Sequence, residues 1–375
     1  MTESISTFRQ NARAWLAGNV PKAPPPPDGP ESRAYALAWQ RTQAQGGWAG
    51  IAWPKDVGGR GASVLEQIVW FEEYARSGAP SPLGPTFVGL NHAGPTLIAC
   101  GTPAQKAYHL PRIVNGETIW CQGFSEPGAG SDLGGLQTKG RVDGDALVID
   151  GHKIWSSFAD IADHQELLVR TDATAKTSAA LTWVICPMNA PGITVRPIRT
   201  MAGAYKFCEV FYEGVRIPLS NVVGGLNRGW TTAMSTLAFE RGTASLALLL
   251  ALTIKVERLL AACPEDRPQM RARLARLRAE GGAIRAMTYR LALDAAESMP
   301  DSSGSLARVA FAEYAQRVNA AALDLFGIDA PEVVGTHGIG HDYLDAFSET
   351  IAGGTSEIQR NIIGERVLGL PRGPR

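Results

Sequence analysis

Apolar residues recur at helical spacing in two stretches before residue 118, "SRAYALAWQRTQAQ" (32–45) and "SVLEQIVWFEEYARSG" (63–78). The spacing predicts a helix over each. A third segment, "TPAQKAYHLPRIVNGE", reads as a short helix with Thr102 as N-cap and its end near Pro111. "PKAPPPPDGP" (21–30) fits neither helix nor sheet and reads as a surface linker stiffened by polyproline geometry, and "PKDVGGRGAS" as a turn-rich loop. From about 119 to 225 the period shortens. "ALVIDGHKIWSS", "HQELLVRTD", "ALTWVICPM", "GITVRPIR" and "CEVFYEGVRIP" are β-rich runs separated by turn residues, which predicts a compact antiparallel sheet or barrel. Helical spacing returns over 229–262, 268–298 and 305–326, with a last segment over 356–367. The expected fold class is therefore α+β multi-domain. It has an N-terminal α-helical domain (1–118), a middle antiparallel β-domain (119–225) and a C-terminal helical bundle (226–375). No strand leads through GxGxxG into a helix, so a Rossmann fold is not expected.

Composition narrows the function classes. A chain of 375 residues is too long for one small core. With 36 basic and 36 acidic residues there is no global field to attract nucleic acid or a membrane surface. Cys100, Cys121, Cys186, Cys208 and Cys263 are scattered and form no CxxC pair, which argues against zinc or a disulfide framework and fits a reducing cytoplasm. The start, "MTESISTFRQNARAWLAG", lacks a signal-type apolar run. "ASLALLLALTI" (244–254) is about half of the ~20 residues a membrane span needs, and reads as a buried core helix.

Candidate chemistry begins at "WCQGFSEPGAGSDLGGLQTKG" (120–140), a glycine-rich loop with hydroxyls that lets backbone donors approach a flat or anionic ligand. "GHKIWSSFADIADHQELLVRT" follows, with an indole and two hydroxyls. An arginine-bearing helix and "GTSEIQR" complete the order, and together these resemble the acyl-CoA dehydrogenase family from about Trp48 to the C-terminus. The resemblance implies a helical domain, a β-domain and a four-helix bundle, with FAD between the last two. It further implies that Gln122, Phe124, Ser125, Gly130 and Ser131 line the flavin. Trp155 would cover one ring face, Ser157 would bond near the reactive nitrogen, and Thr355 and Glu357 would meet the phosphate or ribityl region. An aromatic packed into the core is the competing reading for Trp155.

The implied reaction is α,β-dehydrogenation of an acyl-CoA, which needs a carboxylate base and donors on the thioester oxygen. In many relatives the base is a Glu directly before Gly-Thr, following an aromatic residue; here those positions hold Gly353 and Ala352. The nearest acid there, Glu349, lies four residues upstream. Other relatives carry the base on a bundle helix before an arginine, which points to Glu240, followed by Arg241, in "TLAFERGTASLA". Ordinary surface ion pairing is the competing reading for Glu240. By the same resemblance Ser131, Phe239, Arg241 and Gly353 are substrate-binding positions, with the Gly353 N–H on the thioester oxygen. The missing side chains at 352 and 353 leave room for a branched or bulky acyl group.

Two departures bear on assembly. Homotetrameric relatives complete the FAD pocket with an Arg in R-x-x-F-G and a Gln before Gly-Gly. "VERLLAACPEDRPQMRARLARL" has no such segment, and "ALDLFGIDAPEVV" puts Asp324 at the Gln position and Ile328 at the second Gly. Such gaps resemble bacterial α2β2 dehydrogenases, several from steroid-side-chain breakdown, and imply weak FAD retention by the isolated chain. An electron-transfer flavoprotein is the implied electron acceptor. An acyl-CoA oxidase, or a partner subunit with little activity alone, are the alternatives.

Overall fold

Ser4 accepts from Thr7 N to start helix α1 (Ile5–Asn19), which buries Phe8, Ala12 and Leu16 at four-residue spacing against α3 (Val64–Ser77). The computed structural model describes residues 3–172, 174–175, 177–240, 243, 246–297, 304–327 and 338–372, without the side chains of 177–178, 238–240 and 295–297. The buried carboxylate of Glu73 on α3 meets Arg9, Arg13 and Arg76, which ties α1 to α3. Helix α2 (Gly29–Gln45) takes up the last two residues of the expected 21–30 linker, with Pro30 accommodated in its first turn, where a missing N–H costs no ladder bond. A π turn (Gly89–Ala93) runs straight into α4 (Gly94–Cys100), which periodicity did not reveal. Helix α5 (Pro103–Val114) opens with the expected Thr102 cap, as a capping box with Gln105. It does not end at Pro111 but runs one turn past it. Leu110, Ile113 and Val114 are buried in the core shared with the sheet, and that burial outweighs the ladder bond lost at proline.

The sheet has eight strands: β1 (Trp120–Gly123), β2 (Lys139–Asp143), β3 (Ala146–Ser157), β4 (His164–Arg170), β5 (Leu181–Pro187), β6 (Ile193–Ile198), β7 (Phe207–Pro218) and β8 (Val222–Val223). Its order is β6-β7-β3-β2-β4-β5-β8, with β1 on β4. The pairs are antiparallel as expected, except that β1 runs parallel to β4 and β2 touches β4 through one parallel pair. Leu147, Ile149, Leu167, Val184 and Val210 pack one of its cores. A second core joins Trp53, Leu97 and Leu110 of the N-terminal region to Phe124, Leu168 and Trp183.

Helix α6 (Gly229–Glu240) starts on β5, where a Cβ at Gly229 would lie 2.6 Å from the Thr182 backbone; only glycine allows that approach. Ala233 and Leu237 then face the shared core. The expected continuous run over 229–262 is described as α6 and α7 (Leu246–Ala262), with 241, 242, 244 and 245 outside the described residues. Helices α7, α8 (Pro268–Glu297) and α9 (Gly304–Phe326) bury Leu249, Leu277, Tyr314 and Val318 between them. Helices α10 (Ile339–Asp345) and α11 (Ser356–Ile362) lie on α9. The turn segment 346–355 between them carries Gly353.

Candidate active site

The loop after β1 is held by a buried ion pair. Lys153 on β3 is fully buried and donates from Nζ to Glu126 Oε1 at 2.9 Å and to the Phe124 carbonyl at 3.0 Å. Glu126 also accepts from Gln137 N (2.6 Å) and Thr138 N (2.8 Å), so one carboxylate closes both ends of the loop. Burial pushes the Lys153 ammonium down to about 8, against the attraction of Glu126. Burial alone would raise the Glu126 carboxyl, but the Lys153 charge and the donors of Thr138 and Gln137 outweigh it and hold it below the ordinary range. Neither Glu126 nor Lys153 was singled out from the sequence, although both lie inside the quoted motifs.

Ile154 N donates to Ser125 O at 3.0 Å, so the loop and the strand that carries Trp155 are joined. Strict alternation along β3 would put Trp155 on the inner face with Leu147, Ile149 and Lys153. Instead Lys153 pairs with Val210 and Ser156 with Cys208, which leaves one extra residue on β3. At this bulge Ser156 takes the buried position and Trp155 turns outward with φ 62°. The indole is 55% exposed and meets Phe207 edge-on at 6.0 Å, so the core-packing alternative does not hold. A left-handed tryptophan costs roughly 1 kcal/mol, and such strain concentrates at functional sites.

The other loop residues divide by what they expose. The Phe124 ring lies in the shared core, which leaves its backbone for any ligand. Gly130 and Ser131 are exposed, Ser125 and Ser157 half-buried, and a Cβ at Gly128 or Gly130 would meet nothing within 4 Å. A hollow of ≈ 370 Å³ lies beside this loop, lined in part by Gly128, Ala129 and His152. Gln122 turns away from the loop rim. Its Nε2 donates to Glu166 Oε1 at 2.8 Å and lies 3.3 Å from His92 Nδ1, and that nitrogen is 3.2 Å from the same Glu166 oxygen. Glu166 and His92 are buried. No sequence signal pointed to either.

The C-terminal segment is fastened to this rim and to α9. Lys206 Nζ, next to Phe207, bonds both Asp345 oxygens at 2.8 and 3.1 Å. Arg308 on α9 donates to Glu349 Oε2 (3.0 Å), Glu349 O (2.6 Å) and Ala352 O (2.7 Å). Glu349 is thus engaged as an anchor of the turn. Gly353 and Gly354 both have positive φ, 64° and 87°, a pair of conformations suited to glycine. Gln359 Nε2 binds the Gly353 carbonyl at 2.8 Å, while no described residue accepts from the Gly353 N–H. Thr355 caps α11 through Ile358 N, and Glu357 is exposed in its first turn. Asp324 is paired with Arg273 at 2.6 Å, so its charge is partly compensated.

Of the expected catalytic and substrate residues, Arg241 and the side chains of Phe239 and Glu240 lie outside the described residues. The α6 backbone leading to them is fixed on one side by Thr236, whose Oγ1 is 2.8 Å from Thr96 Oγ1. On the other side Thr243 donates to Gln67 Oε1 at 2.7 Å.

An exposed, strained indole beside an open glycine-rich loop, on a sheet flanked by helical units, fits a protein that holds a flat aromatic cofactor. Known proteins make the class specific. The chain matches the acyl-CoA dehydrogenase N-terminal domain over 2–117, the middle domain over 121–215 and the C-terminal domain over 227–368. It is 37% identical to acyl-CoA dehydrogenase IpdE1 of Mycobacterium tuberculosis, with 99% of each chain covered. Among solved structures it resembles the Tcur3481-Tcur3483 steroid ACAD (31% identity, 99% of each chain, TM-score 0.86). It also resembles the ChsE4-ChsE5 complex from Mycobacterium tuberculosis (30% identity, 100% of this chain and 99% of that one, TM-score 0.82). The chain belongs to the acyl-CoA dehydrogenase family and is an oxidoreductase of that type, with FAD as the family's cofactor. Among the described residues no helix is long and apolar enough to cross a membrane.

Proposed function

We propose that the chain dehydrogenates the α,β bond of an acyl-CoA thioester to the 2-enoyl-CoA, with Glu240 as the base. The carrying observation is the state of the turn 349–354: Arg308 occupies Glu349 as an anchor, and position 353 offers a backbone N–H in place of a carboxylate. The α-proton passes to Glu240, and the Gly353 N–H meets the negative charge that develops on the thioester oxygen. FAD, when bound, accepts the hydride that leaves the β carbon. With FAD in place, Trp155 would cover one face of the flavin, Ser125, Gly130, Ser131 and Ser157 would contribute along its edge together with the backbone of Gln122 and Phe124, whose side chains are engaged elsewhere, and Thr355 and Glu357 would lie toward its ribityl or phosphate part. Ser131, Phe239 and Arg241 meet the substrate. Electrons leave to an electron-transfer flavoprotein, and the enzyme works in the cytoplasm.

The space at Ala352 and Gly353 suits an acyl group that is branched or ring-bearing near the thioester, in keeping with the steroid ACAD among the similar structures. An α2β2 assembly with a second acyl-CoA dehydrogenase-like subunit is supported by similarity to the ChsE4-ChsE5 complex. It is also supported by the exposed apolar residues Phe347, Ile351, Leu368 and Leu370 on the C-terminal segment. Anaerobic flavin bleaching with straight, branched and ring-bearing acyl-CoAs tests the reading. Faster bleaching by the branched or ring-bearing group is expected; a preference for unbranched medium chains contradicts the bulky-substrate part, and no bleaching by any of them, with a partner subunit present, contradicts the activity.

A further inference from the structure

Three side chains stand face to face on the outer side of the sheet. His152 on β3 and Phe211 on β7 are register partners, and their rings stack at 4.1 Å with 15° between the planes. The Arg196 guanidinium reaches from β6 over the other face of Phe211, 4.7 Å from its centroid. Glu209 Oε1 lies 3.1 Å from His152 Nε2. His152 is therefore the last member of the stack, with one ring face that Phe211 does not cover. That face looks away from β7, toward the chain that leads into β2. There Gln137 and Thr138 run alongside Gly151 and His152, close enough that a Cβ at Gly151 would lie 2.6 Å from Thr138 Oγ1. The hollow of ≈ 370 Å³ opens at this place, between His152, Gln137 and the glycine-rich loop at Gly128.

A stack that ends on an open face beside a cavity is a slot for one more planar ring. The polar groups around the slot select which ring. Gln137 donates from Nε2 to the Gly135 carbonyl at 2.7 Å, and its own carbonyl oxygen meets no donor among the described residues. The exposed Gly128 N–H meets no acceptor among them, and a Cβ at Gly128 would touch nothing within 4 Å. The charge on Glu126, which also lines the hollow, is balanced by Lys153. The slot thus offers one acceptor, one donor and no unbalanced cation, which suits a neutral ring with an amine beside a ring nitrogen. Adenine carries that pair on one edge. We propose that the hollow seats an adenine ring against the uncovered face of His152, with its amine on the Gln137 carbonyl and a ring nitrogen on the Gly128 N–H. This rests on the reading of the chain as an FAD-dependent acyl-CoA dehydrogenase. FAD and CoA each carry one adenine, so the ring has two sources that the test must separate.

Truncated ligands identify the ring. FMN lacks the adenosine of FAD, and an acyl-pantetheine lacks that of an acyl-CoA. Affinities for FAD and FMN are measured by titration calorimetry on the FAD-depleted protein. Those for a 3-thia acyl-CoA, which has no β-hydride to give, and for its pantetheine counterpart are measured on the FAD-loaded protein. The cognate partner subunit is present if FAD retention needs it. His152→Ala removes the stacking face and His152→Phe keeps one. In His152→Ala at least one adenine-bearing ligand is expected to bind tenfold or more weakly, while its truncated counterpart stays within about threefold of the wild-type affinity. The ligand that responds, FAD or the acyl-CoA, names the source of the adenine. His152→Phe is expected to stay within about threefold of wild type for all four ligands. Unchanged binding of both FAD and the acyl-CoA by His152→Ala overturns the proposal. So does an equal loss for the truncated counterpart, or a loss in His152→Phe as large as in His152→Ala. Wild-type protein that binds neither FAD nor the acyl-CoA would remove the underlying reading as well, whereas normal wild-type binding that His152→Ala leaves unchanged removes only the adenine seat.

Discussion

Replacing Lys153 by Met removes the only cation on the Glu126 carboxylate among the described contacts and leaves that carboxylate with two backbone donors. Breaking a buried pair by deleting one partner costs about 3–5 kcal/mol. The lost bond to the Phe124 carbonyl adds about 1 kcal/mol, while the two amides that remain on Glu126 offset part of the total. A net destabilisation of about 3 kcal/mol is expected, concentrated on the loop 124–138. Hydrogen exchange by mass spectrometry locates it: peptides covering 124–131 and 137–138 should exchange faster, whereas peptides from α1 and α3 should not. The double variant Lys153→Met with Glu126→Gln removes the uncompensated charge as well, and should recover at least half of the loss. Unchanged exchange in the loop of Lys153→Met, or a double variant worse than the single, would refute the role given to this pair.

Trp155→Gly relieves a left-handed tryptophan, so the stability of the FAD-free protein should stay within about 1 kcal/mol of wild type while FAD retention drops sharply; equal losses of both would remove the cofactor role. Arg308→Met deletes three bonds to the turn at 349–352 and should lower kcat/KM about tenfold with FAD content preserved; normal turnover would show that the turn needs no anchor. The Glu126 carboxyl is depressed in the folded state, so its contribution is present above its ordinary value near 4.5 and is lost as pH falls through the folded value. Acid unfolding followed against Glu126→Gln should show a shallower pH slope in the variant.

Much of the architecture was legible because it is carried by local period. The run "ALVIDGHKIWSS" coincides with β3, and Thr102 caps α5 as its residue type suggests. Pro111 misled because its cost is local whereas the compensating burial of Leu110, Ile113 and Val114 depends on partners distant in the chain. Strand β1 is four residues long and pairs with β4 some forty residues later, which no local period records. The outward indole at Trp155 depends on a single inserted residue relative to β7, so alternation alone gives the wrong face. Gln122, His92 and Glu166 come from a loop strand, a π turn and a central strand, and only the fold brings them within hydrogen-bonding distance. The anchoring of Glu349 by Arg308 likewise crosses from α9 to a turn.

Stopped-flow anaerobic flavin reduction of Glu240→Gln, with its cognate partner subunit if one is needed for FAD retention, addresses the base directly. The probe is whichever acyl-CoA of the straight, branched and ring-bearing set bleaches the wild-type flavin fastest. The expected result is a loss of at least about 10³-fold in the reduction rate, with FAD content and acyl-CoA binding retained. Reduction within a few-fold of wild type would contradict the assignment of Glu240 and return the search for the base to the rest of the site.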